Sequence, residues 1–131
     1  MTAKKRKIIL AKVGLDGHDN GIRIVSKWLM DAGYEVVYTG LYNTPEHIVQ
    51  MTIEENADAI GMSFLGGEHL FYARKFMDLL KQESMSNVKL MIGGVIPPVD
   101  VEELKKIGVH AVFTPGTRRD TVLARVASVI S

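Results

Sequence analysis

Five short runs of apolar, largely β-branched residues alternate along this chain with five segments in which apolar residues recur at helical spacing. The apolar runs predict strands near residues 7–13, 34–38, 58–63, 88–92 and 110–114. Strands that alternate with amphipathic helices are typical of a parallel sheet covered by helices on both faces. The pattern therefore predicts an α/β domain.

Helix boundaries are indicated by capping and turn residues. We expect the first helix to run from about Gly21 to Ala32, with Gly33 as its stop. The segment Thr44-Pro45-Glu46 predicts the start of the second helix, because it supplies a capping oxygen, a proline at the first helical position and then an acid. After Pro97-Pro98, Asp100 and Glu103 have the spacing of a capping box, so the fourth helix should run from there to Ile107 and end at Gly108.

The remaining apolar positions predict which faces of the helices are buried. The third helix ends in the polar stretch 82–87, and Trp28 of the first helix is expected in the core. The buried stripes of the third and fifth helices are predicted to be Leu70, Ala73, Met77 and Leu80, and Val122, Val126 and Val129.

Right-handed crossovers restrict five such units to a doubly wound sheet. For this size we expect a five-stranded parallel sheet of the flavodoxin-like (Rossmann-like) type with strand order 2-1-3-4-5. In this order the topological switch point, where the order of successive strands reverses, lies between strands one and three. The loop 14–20 should therefore face the loop 63–67 across a crevice at the carboxyl edge of the sheet.

Composition limits the class of protein without changing this fold. With 131 residues, of which 47% are hydrophobic and 24% charged, residues 1–131 are expected to form one globular domain. No apolar run approaches the ~20 residues of a membrane helix, and the lack of cysteine and of an apolar leader favours a cytoplasmic location. The net charge of +1 and the absence of interleaved aromatic residues argue against nucleic acid. The basic run 4–7 is interpreted as a solvated tail, with a docking contact as the alternative.

Glycine and small hydroxyl residues collect in the loops that follow strands one, three, four and five. Such loops let a bulky ligand approach the backbone closely. They contain neither a Gly-x-Gly-x-x-Gly motif nor a Walker lysine motif, and Ser63 stands where a phosphorylated receiver domain needs an aspartate. The four loops span residues 14–21, 63–67, 93–98 and 114–117.

His18 is the candidate for metal chemistry, whereas His47, His69 and His110 are expected to be solvated side chains. Asp16 lies two residues before His18, and a carboxylate bonded to one ring nitrogen leaves the other free as a ligand. Lys12 could orient that carboxylate. Zinc would need further histidine or thiolate ligands, so a metal that arrives in a macrocycle and needs one axial nitrogen fits better.

The pattern Asp16-x-His18-x-x-Gly21, followed by Ser63-x-Leu65 and then Gly93-Gly94, resembles the cobalamin-binding domain of base-off, histidine-on corrinoid enzymes. The segments 12–19 and 93–98 are most similar to the acyl-CoA mutase branch, which includes the methylmalonyl-, isobutyryl- and 2-hydroxyisobutyryl-CoA mutases. The resemblance covers essentially the whole chain.

This resemblance implies adenosylcobalamin as the cofactor and His18 as the lower axial ligand of its cobalt. Asp16 would hydrogen-bond His18, and Lys12 would extend that relay. The displaced nucleotide tail would enter the crevice, with Ser63 bonding it and Thr117 touching its far end. The full set of cofactor-binding positions is Gly14, Asp16, Gly17, His18, Asp19, Gly21, Ser63, Leu65, Gly93, Gly94, Pro115, Gly116 and Thr117.

The resemblance also implies an isomerase, specifically the small subunit of a two-component mutase that is inactive alone. A large substrate-binding barrel subunit would bind most of the acyl-CoA and shield the radical chemistry from solvent. A corrinoid carrier for methyl transfer, a cobalamin-sensing regulator and a flavodoxin-like domain without corrin are the alternatives.

Overall fold

The computed structural model describes residues 5–14 and 17–130 and contains a single five-stranded sheet with order β2-β1-β3-β4-β5. Every paired strand is parallel. The predicted doubly wound fold and its strand order are confirmed. The strands are Lys7–Ala11 (β1), Glu35–Tyr38 (β2), Ala59–Phe64 (β3), Lys89–Gly94 (β4) and Ala111–Phe113 (β5). The helices are Asn20–Asp31 (α1), Pro45–Glu55 (α2), His69–Gln82 (α3), Pro98–Ile107 (α4) and Arg119–Ile130 (α5).

Two apolar clusters hold the helices against opposite faces of the sheet. The larger one packs α2, α3 and α4 onto one face around Ile48, Phe76 and Leu104. The other packs α1 and α5 onto the opposite face, with Leu29 and Val126 almost fully buried. Across the described ranges, no helix is both long and apolar enough to span a bilayer.

The predicted start of α2 is confirmed, since the Thr44 hydroxyl accepts the backbone N–H of His47 at 3.1 Å and Pro45 is the first helical residue. The capping box predicted for α4 is wrong. That helix begins two residues earlier, at Pro98, and Pro97 occupies the N-cap without a side-chain cap bond. Asp100 therefore lies within the first turn, where its carboxylate is available for a tertiary contact.

That contact is with His69, which is buried rather than solvated. The ring is 2% exposed, and its Nε2 lies 2.7 Å from a carboxylate oxygen of Asp100. The other ring nitrogen, Nδ1, is buried and has no hydrogen-bond partner. His47 and His110 are exposed as expected, although His110 also accepts the Leu90 N–H through its Nδ1 atom.

The substitution Asp100→Ala should lower the free energy of unfolding by about 2 kcal/mol, because it leaves a buried imidazole without its partner. Urea denaturation measures this loss. Glu103→Ala is the matched control, since it removes the other carboxylate of α4 that pairs with α3. That pair, Arg74–Glu103, is exposed at both ends, so its loss should cost less than about 1 kcal/mol. Equal losses in the two variants would contradict a structural role for the His69–Asp100 pair.

The basic run at the start of the chain is more ordered than expected where the structure describes it. Lys7 begins β1, and its backbone N–H donates to Asp58 at 2.8 Å. Its ammonium lies 3.4 Å from Glu55, and Arg6 lies at the same distance from Asp58. The solvated-tail interpretation is therefore wrong for Arg6 and Lys7, which pair with acids at the amino edge of the sheet.

Candidate functional site

A cleft of about 630 Å³ lies between the sheet and the helices α1 and α5 and includes the loops at the carboxyl edge. It is lined by residues of both loops that were predicted to face each other across a crevice, those after strands one and three. Eleven of the thirteen predicted cofactor-binding residues line it: Gly17, His18, Asp19, Gly21, Ser63, Leu65, Gly93, Gly94, Pro115, Gly116 and Thr117. The structure therefore brings together four loops that are far apart in sequence.

The cleft changes from polar to apolar with depth. Its polar lining residues lie at the carboxyl edge, in the loops, at strand ends and at Asn20, the first residue of α1, and include His18, Ser63 and Thr117. The walls contributed by α1 and α5 are apolar, and Trp28 lines the cleft as a half-buried residue. The prediction that Trp28 is a core residue is thus only partly right. The site combines an apolar interior with polar groups at its entrance, as small-molecule sites commonly do.

His18 is exposed at this entrance, directly before the N-terminus of α1. Asp16, predicted to bond its ring, lies outside the described residues, so that hydrogen bond stays a prediction. The exposure of His18 leaves its imidazole accessible from the cleft, as a metal ligand requires.

Lys12 and Gly14 are not among the lining residues. Lys12 is fully buried, and its Nζ donates to the carbonyl oxygen of Ser63 at 2.7 Å, which ties the ends of β1 and β3 together. Gly14 has a φ of +69°, and a β-carbon there would lie 2.6 Å from the Tyr72 hydroxyl. Both residues therefore lie in the loop between β1 and α1, residues 12–19, which we call the His18 loop, but outside the lining of the cleft.

Gly94 has a steric role at the end of β4. Its φ is +108°, and a β-carbon would overlap the carbonyl oxygen of Phe64 and approach the Phe64 nitrogen to 2.7 Å. Only glycine permits this close passage of β4 against β3. In contrast, nothing lies within 4 Å of the β-carbon position of Gly21 or Gly116, so these glycines leave space open at the cleft.

Asp19 is held by two side chains that the sequence did not single out. Its Oδ2 atom accepts the Arg23 Nε–H at 2.6 Å and the Tyr38 hydroxyl at 2.9 Å. The bonds from Arg23 and then Tyr38 hold the pKa of Asp19 below its usual value. Burial, followed by the bond to Asp19, raises the pKa of Tyr38 to about 12. The i,i+4 spacing of Asp19 and Arg23 could have indicated their pairing, but nothing local indicates Tyr38.

Asn43 connects the His18 loop to the segment between β2 and α2. Its side-chain amide donates to the carbonyl oxygens of Lys12 and Gly40 and to the Thr39 hydroxyl, all within 3.0 Å. The Gly14 N–H donates to the Asn43 carbonyl oxygen at 3.1 Å. The start of the His18 loop is therefore held by hydrogen bonds to Asn43, which belongs to the segment between β2 and α2.

The chemistry of the donors fits a metal that brings most of its own ligands. Within residues 5–14 and 17–130 no group of three or more histidine, cysteine or acidic side chains could hold a metal ion. The described part of the cleft instead offers one accessible imidazole beside an apolar cavity. This arrangement suits a large cofactor that presents a metal to a single axial nitrogen.

Comparison with known proteins agrees with this geometry. A family model described as the B12 binding domain matches residues 6–124. The chain belongs to the B12-binding domain family. The cofactor class expected from the sequence, cobalamin, is therefore confirmed at the level of the family.

Within this family, the chain is similar to small subunits of acyl-CoA mutases. It is 37% identical over 125 residues to the 2-hydroxyisobutanoyl-CoA mutase small subunit of Aquincola tertiaricarbonis, covering 95% of this chain and 92% of the relative. It is 38% identical over 122 residues to the pivalyl-CoA mutase small subunit of Xanthobacter autotrophicus, covering 93% and 82%. These relatives are isomerase subunits, and the resemblance to the acyl-CoA mutase branch is confirmed.

The fold of this B12-binding domain also matches a solved structure. A cobalamin-binding protein from Desulfitobacterium hafniense superimposes with a TM-score of 0.83 at 27% identity. The match covers 98% of this chain and 60% of the other, so the chain spans about three fifths of that protein. The flavodoxin-like arrangement thus occurs in a solved cobalamin-binding protein.

Proposed function

We propose that this chain is the adenosylcobalamin-binding small subunit of a two-component acyl-CoA mutase. The observation that carries the proposal is the cleft at the carboxyl edge, which has His18 at its entrance. The identity to two mutase small subunits over most of their length supports the choice of reaction class. The reaction is an intramolecular rearrangement of the carbon skeleton of an acyl-CoA.

His18 is proposed as the lower axial ligand of cobalt. Its side chain is exposed and lines the cleft at the point where the β1–α1 loop enters α1. Bound adenosylcobalamin would supply the radical that starts the rearrangement. The contribution of this chain is to hold cobalt from one side through a nitrogen whose basicity depends on the partner of the other ring nitrogen.

Asp16 is proposed as that partner, and Lys12 as a residue that orients the relay. Lys12 is fully buried, and its ammonium bonds the Ser63 carbonyl oxygen. A buried lysine at the start of the loop that carries Asp16 and His18 would orient a carboxylate of that loop by a charge-assisted hydrogen bond. Lys12 therefore acts on the relay through charge and position rather than by touching cobalt.

The cleft is proposed to receive the nucleotide tail of the cofactor. Ser63 and Thr117 offer hydroxyl groups at the lining, and the Thr117 hydroxyl already donates to the Thr114 carbonyl oxygen at 2.6 Å. Gly93 and Gly94 keep the wall beside β4 free of side chains. The apolar walls from α1 and α5 would cover the aromatic base and exclude water from it.

The large subunit is proposed to be a substrate-binding barrel that covers the corrin and reads the acyl group. The described cleft contains no second basic side chain near His18 for the phosphates of coenzyme A, since its lining is otherwise neutral or acidic. Residues 1–131 would then act as one cofactor-carrying domain, and the choice of acyl-CoA would lie with the partner. No specific observation favours the alternative, a carrier for methyl transfer.

Mixing experiments test this function. We expect acyl-CoA isomerisation only when the chain, adenosylcobalamin and a mutase large subunit are combined, and none when any one is omitted. The large subunits of the two mutases named above, assayed with 2-hydroxyisobutanoyl-CoA and pivalyl-CoA, are the available probes. Co-purification with the large subunit should accompany activity. Cobalamin binding without isomerisation in every mixture would contradict the mutase assignment.

A further inference from the structure

The carboxylate of Asp19, the residue after His18, does not make the helix-capping contact that is usual for its position. Asp19 occupies the N-cap position of α1, where aspartate commonly accepts a backbone N–H of the first turn. Here it makes no side-chain cap bond. Its carboxylate instead accepts the Tyr38 hydroxyl and the Arg23 Nε–H, at 2.9 and 2.6 Å. This acid at a helix N-cap position therefore makes a tertiary contact instead of a capping bond.

The side chains of Asp19, Arg23 and Tyr38 all contact one another. In addition to the two bonds to Asp19, the Arg23 guanidinium lies over the Tyr38 ring, 5.3 Å from its centroid. Tyr38 is the last residue of β2 and pairs in register with Leu10 of β1, which lines the cleft. Tyr38 is also packed against the apolar cluster under α1 and α5. Tyr38 is thus anchored in the sheet, whereas Asp19 belongs to the loop between β1 and α1.

Asp19 directly follows His18, so fixing its side chain fixes the backbone from which the imidazole projects. A second tyrosine, Tyr42, lies near the residue on the other side of His18, because a β-carbon built on Gly17 would be 3.1 Å from the Tyr42 hydroxyl. Both tyrosines come from the end of β2 and the connection that follows it. The histidine is therefore flanked by Asp19, which is bonded to Tyr38, and by Gly17, which lies near Tyr42.

We propose that Tyr38 and Arg23 are positioning residues that act through Asp19 to aim the His18 imidazole at cobalt. The proposal rests on His18 being the axial ligand. It adds that the geometry of that ligand is set from β2, a strand that contributes nothing to the lining of the cleft. A histidine that is already aimed has less conformational freedom to lose when it binds the metal.

The substitution Tyr38→Phe tests this, because it removes one hydroxyl and keeps the ring under Arg23. We expect the dissociation constant for cobalamin to rise about fivefold, which is the size of effect expected from the net contribution of one typical hydrogen bond. With ¹⁵N-histidine and cobalt(II), the electron paramagnetic resonance spectrum should show a smaller share of histidine-coordinated cobalt. Tyr34→Phe is the matched control. Tyr34 packs against the same apolar cluster, but it immediately precedes β2 and so lies at the amino end of this strand, whereas Tyr38 lies at its carboxyl end.

A double-mutant cycle separates positioning from general stability. If Tyr38 acts through Asp19, the double variant of Tyr38→Phe and Asp19→Ala should bind cobalamin no more weakly than Asp19→Ala alone. Additive losses would overturn the proposal. So would a Tyr38→Phe protein that melts at a lower temperature yet binds cobalamin like wild type well below its melting point.

The same experiments distinguish this inference from the proposed function. Wild-type protein without histidine nitrogen coupling to cobalt(II) would refute His18 as the ligand and, with it, the positioning role. Wild-type coupling together with equal binding by Tyr38→Phe and Tyr34→Phe would leave the ligand assignment intact and overturn only the role of Tyr38.

Discussion

Replacement of His18 by alanine is expected to lower mutase activity at least about 100-fold. Mutation of a residue that only hydrogen-bonds a metal ligand already lowers metal affinity or activity about 10–100-fold in typical cases. The His18 side chain is exposed, so its loss should not disturb the core. The variant should therefore fold normally while the cobalt(II) spectrum loses its histidine nitrogen coupling. Activity measured with the large subunit and the spectrum of the isolated chain report on the two effects separately.

His47→Ala is the matched control for this prediction. His47 is also an exposed histidine near the start of a helix at the carboxyl edge, but it does not line the cleft. Its loss should leave both activity and spectrum unchanged. Partial recovery of the His18→Ala variant by added imidazole would identify the missing nitrogen as the cause. Full activity of His18→Ala would refute the proposed ligand.

Gly94→Ala is expected to have the largest effect on stability, at least about 3 kcal/mol. Two costs add: a positive φ that is unfavourable for alanine, and a β-carbon that overlaps the Phe64 carbonyl oxygen. Because β3 and β4 are hydrogen-bonded neighbours up to Phe64 and Gly94, relief requires the two strand ends to separate. Urea denaturation would measure the loss, and cobalamin titration would show the accompanying distortion of the cleft.

Gly33→Ala isolates the first of these costs. Gly33 has nearly the same φ, +102°, but nothing lies within 4 Å of its β-carbon position. Its substitution should cost only about 1–2 kcal/mol. The difference between the two variants is then the cost of the close approach at the cleft. Equal destabilisation of both would show that the contact between Gly94 and Phe64 carries no energetic weight.

Much of the candidate site was predictable because its residues occupy loops at one edge of a parallel sheet. Alternating apolar runs predict the strands, and the strand order follows from the handedness of the crossovers. Once that order is known, His18, Ser63, Gly93 and Thr117 must lie at the same edge. Their convergence on one cleft is therefore a consequence of topology and needs no knowledge of individual contacts.

Other parts of the site were not predictable, since they depend on pairs that are distant in sequence. Tyr38 reads as an ordinary strand residue until the sheet places it against Asp19, 19 positions earlier. His69 reads as a loop histidine until α4 begins at Pro98 and brings Asp100 to it. The sequence predicts a helix cap for Asp100, and the structure places Asp19 at an N-cap position, but both acids make a tertiary contact instead.

The sequence by itself predicted the sheet, its order, the edge that carries the site and His18 as a candidate residue at that edge. The sheet and its order follow from periodicity and from the handedness of the crossovers, whereas His18 was indicated by the motif it forms with Asp16 and by the resemblance to cobalamin-binding domains. Only the tertiary structure decided which side chains contact Asp19, the residue next to His18, because its carboxylate bonds the donors that the packed sheet brings within reach. The proposed ligand is indicated by a local motif, whereas the contacts of the neighbouring Asp19 depend on β2.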